Sequence, residues 1–91
     1  MIITLDEAKN YLRVDSADDD RLIDSILAAA HRLSMDILRT DEQSVLVAEP
    51  NAKVAVLYAT AYLYEHREDA DHKALTLSLR ALLSGNRKAV F

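Results

Sequence analysis

Leu22, Ile23, Ile26, Leu27, Ala30, Leu33, Ile37 and Leu38 recur at steps of three and four residues, the spacing that gathers apolar side chains on one side of an α-helix. This is the strongest periodic signal in the chain. It predicts one long helix from about Asp19 to about Leu38, roughly 30 Å in length at 1.5 Å per residue. A helix that long spans a domain of 91 residues and obliges the rest of the chain to pack along it. The sequence has one Gly and one Pro, too few turn residues for a sandwich or barrel of many short strands. The expected fold is therefore all-α, a single domain over residues 1–91 built as a small bundle of about four helices, with a loop between the second and the third.

The first helix opens at Thr4-Leu5-Asp6-Glu7. This is a capping box: Thr4 caps the Glu7 amide, Glu7 reaches back, and the two acids favour the positive end of the helix. Ile3 and Ala8 suit a weak hydrophobic staple across the cap. The helix runs to about Arg13, with Leu5, Ala8 and Leu12 on one face and Tyr11 beside them. Ser16-Ala17-Asp18-Asp19-Asp20 supplies the start of the long helix, with Ser16, Asp18 and Asp19 each able to cap. Residues 39–49 show no helical face. Within them Val45-Leu46-Val47 reads either as loop pinned to its own core or as an edge strand or apolar tab for a neighbouring chain.

Pro50 suits the first position of a third helix, where its missing amide hydrogen costs nothing. Over residues 54–64 only Thr60 is plainly polar, so this helix is apolar around nearly its whole circumference and needs cover on several sides. It is either the central helix of the domain or a helix shared with another subunit. Glu65-His66-Arg67-Glu68-Asp69-Ala70-Asp71 ends it in a charged turn. Ala74, Leu75, Leu79, Leu82 and Leu83 fit a fourth helix that stops at Gly85, although Leu75-Thr76-Leu77-Ser78-Leu79 also alternates as a strand would.

Charge and composition narrow the function. Eleven Lys and Arg against 15 Asp and Glu give a formal net charge of −4, a field that repels nucleic acid and anionic membrane. With no Cys the chain has no disulfide to hold it and is at home in a reducing cytoplasm. No stretch approaches the roughly 18 to 20 apolar residues of a membrane span, and Met1-Ile2-Ile3-Thr4 lacks the architecture of an export signal. The product is expected to stay where it is made. A domain this short buries only about 60 to 65% of its unfolded surface. Without disulfide or evident metal, oligomerisation is the staple left to it.

Chemistry-bearing patterns are sparse. There is no Gly-x-Ser-x-Gly elbow, and Ser25, Ser34, Ser44, Ser78 and Ser84 read as ordinary helix or loop serines. A single glycine excludes phosphate-cradling loops. His66 and His72 stand six residues apart across a helix end, which is not the spacing of a ligand pair. The acids from Asp15 to Asp20 lack the glycine turn and terminal Glu of a calcium loop, and His31 reads as a satisfied or exposed histidine. No catalytic residue, cofactor or metal site is expected, and no enzyme. Tyr58 and Tyr62 share a face of the third helix, with large rings and polar tips that suit a core edge or an interface equally. Arg67 has Glu65 and Glu68 as ready partners, within its own turn or across chains.

Taken together these residues resemble the head-tail connector (adaptor) family of long-tailed bacteriophages. The likeness begins at Thr4-Leu5-Asp6-Glu7-Ala8-Lys9-Asn10-Tyr11-Leu12-Arg13-Val14-Asp15 and continues through Asp18-Asp19-Asp20 and residues 22–30. It is most specific over residues 55–68, ending in Leu63-Tyr64-Glu65-His66-Arg67-Glu68, where the family has a tyrosine, an acid, a variable residue and Arg-Glu after an apolar helix. Leu82-Leu83 followed by Arg87 is similar to its closing segment. Gly85 stands where members often have a proline, and the 39–49 loop is short.

The resemblance implies a non-enzymatic virion protein of a phage or prophage. It would be made in the host cytoplasm and act in head completion and DNA packaging as a subunit of an oligomeric ring at the head-tail junction. Its partners would be identical neighbours, the portal protein and tail or stopper proteins, with DNA passing through the channel without sequence-specific binding. On this reading Tyr58, Tyr62, Tyr64, Glu65, Arg67 and Glu68 are the candidate subunit-interface residues. The alternative from a different class is a small helical DNA-binding regulator that contacts phosphate through Arg80, Arg87 and Lys88.

Overall fold

The computed structural model describes residues 2–83. Within them the chain forms five helices and no strand: α1 (Leu5–Leu12), α2 (Asp20–Ile37), α3 (Gln43–Val47), α4 (Ala52–Glu65) and α5 (His72–Leu83). The expected Gly85 stop, and with it Arg87 and Lys88, lies outside the described residues.

The capping box forms as the sequence predicts. The Glu7 amide donates to Thr4 Oγ1 at 3.1 Å and the Thr4 amide to Glu7 Oε1 at 3.0 Å, so two amides that α1 leaves unpaired gain acceptors. Ile3 and Ala8 are both buried, as a staple requires. At the other end Arg13 adopts φ 60°. Its amide donates to the Asn10 carbonyl at 3.2 Å and that of Val14 to Lys9 at 3.0 Å, the paired bonds of a Schellman turn.

The long helix α2 is the spine. It packs most extensively on α4 and also meets α1, α3 and α5. Its buried line is Ile23, Leu27, Ala30 and Ser34, flanked by His31 and Met35, so the core face sits to one side of the apolar arc and leaves Leu22 exposed. Asp19 stands at the N-cap, but its carboxylate makes no cap bond to the α2 amides. Instead it accepts the Tyr64 hydroxyl at 2.7 Å. Lys9 reaches Asp20 Oδ1 at 2.6 Å, joining α1 to the start of α2. The helix ends in a second Schellman turn, with Arg39 at φ 56° and the Thr40 amide donating to Met35 at 3.1 Å.

Residues 43–47 are not loop or strand, as expected from sequence, but the one-turn helix α3. A single turn is too short to display a 3.6-residue period. Leu46, fully buried, pins it to the core, while Val45 and Val47 are 40% and 57% exposed. The next helix begins at Ala52 with Asn51 as its N-cap, so Pro50 precedes the cap and is not the first helical residue. Asn51 Nδ2 donates to the Leu82 carbonyl at 3.0 Å, tying the start of α4 to the end of α5.

Small residues carry the centre of the molecule. Ala52, Ala55, Val56, Ala59 and Thr60 are the buried residues of α4, which packs against α2, α5 and α1; short side chains there let the helix axes approach closely. Thr60 and Ser34 are buried hydroxyls, and each donates to the carbonyl one turn back, at 2.7 and 2.9 Å, so neither is left unpaired. Helix α5 buries Leu75, Leu79 and Leu83 but leaves Leu77 57% exposed. A strand would have buried 75, 77 and 79 together, so the alternation in sequence was incidental.

Candidate functional site

The over-apolar third helix of the sequence is α4. Cover from α1, α2 and α5 accounts for one side of it. The opposite side carries Val54, Tyr58, Ala61 and Glu65, spaced three and four residues apart and so aligned along the helix. Val54 and Tyr58 are exposed, Tyr58 at 38%. Tyr11 of α1, 53% exposed, completes a shallow groove together with Leu12, Tyr58, Ala61, Tyr62 and Glu65. An aromatic pair on an uncovered strip is the composition of a protein contact surface.

Tyr62 forms part of this groove and is held in place from within the chain. Its hydroxyl accepts the Asp71 amide at 2.9 Å, and its ring stacks on His66 with centroids 4.2 Å apart and planes 20° off parallel. His66 Nδ1 lies 2.9 Å from the Tyr62 carbonyl. A carbonyl only accepts, so Nδ1 carries the hydrogen in this contact.

Tyr64 is on a different face. Its hydroxyl crosses to Asp19 at the start of α2. The hydrogen bond to that carboxylate, followed by desolvation, holds the phenol pKa above its ordinary value, since the bond favours the protonated form. The Arg67 guanidinium lies 4.7 Å from the centre of the Tyr64 ring, and its Nη1 donates to the Tyr64 carbonyl at 2.7 Å. A cation bonded to a terminal carbonyl suits the negative end of α4. No ion pair joins Arg67 to Glu65 or Glu68 among the described residues; within the chain its partners are a backbone carbonyl and a ring, not the acids of its own turn.

The six residues singled out from sequence therefore fall into three places. Tyr58, Tyr62 and Glu65 share the tyrosine groove. Glu65, Arg67, Glu68 and Asp69 line a second, polar cleft at the end of α4. Tyr64 belongs to the internal α2–α4 contact.

Sequence reasoning missed a third feature, an open groove of about 360 Å³ between the first half of α2 and the α4–α5 link. Leu22, Ile26, Ala29 and Leu63 supply its apolar walls, and His66, Arg67 and His72 its charged or titratable side chains. Leu22, Ile26 and Ala29 were visible as a line at spacings of four and three. In the sequence Leu22 and Ile26 fall in one stripe with the adjacent line that the core buries, and Ala29 stands outside that stripe.

No helix among the described residues is long and apolar enough to cross a membrane, and no group of three His, Asp or Glu side chains gathers there as a metal site. The surfaces are open and mix apolar with charged side chains, an arrangement suited to docking against another protein.

Comparison with known proteins gives one result. The family model described as phage gp6-like head-tail connector protein matches residues 2–83. No curated protein and no solved structure matches the chain.

Proposed function

The chain belongs to the phage gp6-like head-tail connector family, and from that premise we propose that it is a structural subunit of an oligomeric ring that joins the portal to the tail and forms part of the DNA conduit. The observation that carries the proposal is the extent of the match, which takes in all five helices.

Physical features support the same reading. A ring gives each copy a partner at both sides through one heterologous contact that closes, which suits a short chain with apolar strips left uncovered on α2, α3 and α4. A net charge of −4 suits a conduit, because DNA must slide and a surface that neutralised many phosphates would hold it. The tyrosine groove, centred on Tyr11 and Tyr58, is a contact surface within the junction. Arg67 and Tyr64 stabilise the end of α4, and Glu65 and Glu68 present charge beside it. The role is structural rather than enzymatic, at the head-tail junction of the virion.

Native mass spectrometry with light scattering over a concentration series, repeated with duplex DNA, tests this. The expected result is a closed oligomer, or a monomer in exchange with one, whose distribution ignores DNA. A strict dimer that binds duplex with a steep salt dependence would overturn the proposal in favour of a DNA-binding regulator.

A further inference from the structure

The connector reading leaves open which surfaces of neighbouring copies meet, and two features of the chain fit each other. The first is α3. Leu46 anchors it, and Val45 and Val47 stand out from it. The surrounding stretch from Thr40 to Ala52 contains no basic residue and three acids, Asp41, Glu42 and Glu49, of which Asp41 is held by Arg32 at 2.8 Å. The second is the groove beside α2, whose lining holds Leu22, Ile26, Ala29 and Leu63 with His66, Arg67 and His72, and no acid. Arg67 also borders the polar cleft that it lines with Glu65, Glu68 and Asp69, but it forms no ion pair with them among the described residues. Arg67 gives one N–H to the Tyr64 carbonyl, and a guanidinium has five such donors.

Position decides whether the two can meet within one chain. The Tyr64–Asp19 bond sets the end of α4 beside the start of α2, so α4 runs back along the spine. Val47 shares a small depression with Pro50 and Ala52, at the start of α4, whereas the groove takes in Leu63 and His66, at its end. At 1.5 Å per residue, Ala52 and Leu63 are about 17 Å apart along the helix. The apolar turn cannot reach its own groove.

Resting on the ring reading above, we infer that α3 of one copy seats in the α2/α4–α5 groove of the next. Val45 and Val47 pack on Leu22 and Ile26, and Glu42 faces Arg67. The occupant is a second copy of this chain because an apolar turn that carries Glu42 complements an apolar groove that carries Arg67 in both hydropathy and charge. Two different patches at opposite ends of α4 make the contact heterologous, the type that propagates from copy to copy.

The chain has no native Cys, so a designed pair reports on the contact directly. Val47→Cys and Ser25→Cys place one thiol on the turn and one on the groove; both sites are exposed, so the fold tolerates them, and a circular dichroism spectrum checks this. Under oxidising conditions at high protein concentration the double variant is expected to give a ladder of dimers, trimers and higher species on a denaturing gel. Each single variant stops at dimer. In parallel, Glu42→Arg and Arg67→Glu are each expected to lower the oligomeric fraction about tenfold, roughly the weight of one well-placed interfacial charge pair, and their combination to restore it.

If the wild type forms a large oligomer by light scattering while the double-cysteine variant gives no more than the singles do, this contact is wrong and the connector reading stands. If the wild type is a strict duplex-binding dimer and no ladder forms, both fall. A ladder from a protein that scatters as a monomer still supports the contact, because oxidation traps transient encounters.

Discussion

His31 is the residue whose burial has the clearest cost. It lies four residues from Leu27 and four from Met35 on α2, is 7% exposed, and leaves Nε2 buried with no hydrogen-bond partner. Burial disfavours the imidazolium and lowers its pKa below the ordinary 6.5. The unfolded chain therefore binds the proton more readily than the folded one, and stability rises with pH wherever that is so. The contribution of His31 is fully present above pH 6.5 and is lost as pH falls through the interval down to the depressed folded value. Denaturant unfolding of wild type between about pH 8 and about pH 5 is expected to show this loss, and His31→Leu to remove it over the same interval. An equal loss in both proteins would show that the histidine does not cause it. Glu7 acts in a lower window. The Thr4 amide bond holds its carboxylate below 4.5, so its contribution is present above that value and lost as pH falls through the folded one, which keeps the two effects apart.

At the scale of the element, what was legible in the sequence is what depends on neighbours close along the chain. The capping box of α1 and the length of α2 follow from spacings of three and four, and both appear where expected. What depends on distant partners was not legible. The apolar arc of α2 holds two adjacent lines, Ile23–Leu27–Ala30 and Leu22–Ile26–Ala29, and nothing local says that the core buries the first and leaves the second in a groove. Tyr62 and Tyr64 look alike in sequence, yet one takes the Asp71 amide and the other reaches Asp19. Arg67 sits between acids and bonds a carbonyl.

The left-handed caps that close α1 and α2 were likewise hidden. Arg13 and Arg39 occupy left-handed positions, where a side chain crowds its own backbone at a cost of roughly 1 to 2 kcal/mol and glycine is the usual occupant. Both side chains are exposed and appear in no ion pair among the described residues. Arg13→Gly and Arg39→Gly are each expected to stabilise the fold by about 0.5 to 1 kcal/mol, the relieved crowding less the extra chain entropy that glycine loses on folding. Chemical denaturation checks this through the midpoint at unchanged slope. A loss of stability would mean that the arginine side chains make contacts that outweigh the strain.

For the whole molecule the question is how a short chain without cross-links holds a single native state. Ile23, Leu27, Leu46, Leu75, Leu79 and Leu83 are fully buried, but a domain this small leaves a large share of its apolar surface in water, and Tyr11, Leu22, Val45, Val47, Val54 and Tyr58 remain exposed. If neighbouring copies cover part of that surface, as proposed, assembly draws the folded subunit forward by mass action. At a subunit concentration one hundred times the dissociation constant this adds about 2.7 kcal/mol. For a domain of 60 to 100 residues each kcal/mol raises Tm by about 4 to 8 °C, so a rise of about 10 °C or more is expected between dilute and concentrated wild type. Val47→Asp puts a charge at the centre of the proposed contact but at an exposed position of the isolated subunit. It is expected to leave the dilute Tm unchanged and to abolish the rise with concentration, read by circular dichroism melts in cells of different path length. A wild-type Tm that is flat with concentration would mean that the subunit is held by its own core alone, and that the exposed apolar residues serve the portal or the tail rather than a second copy.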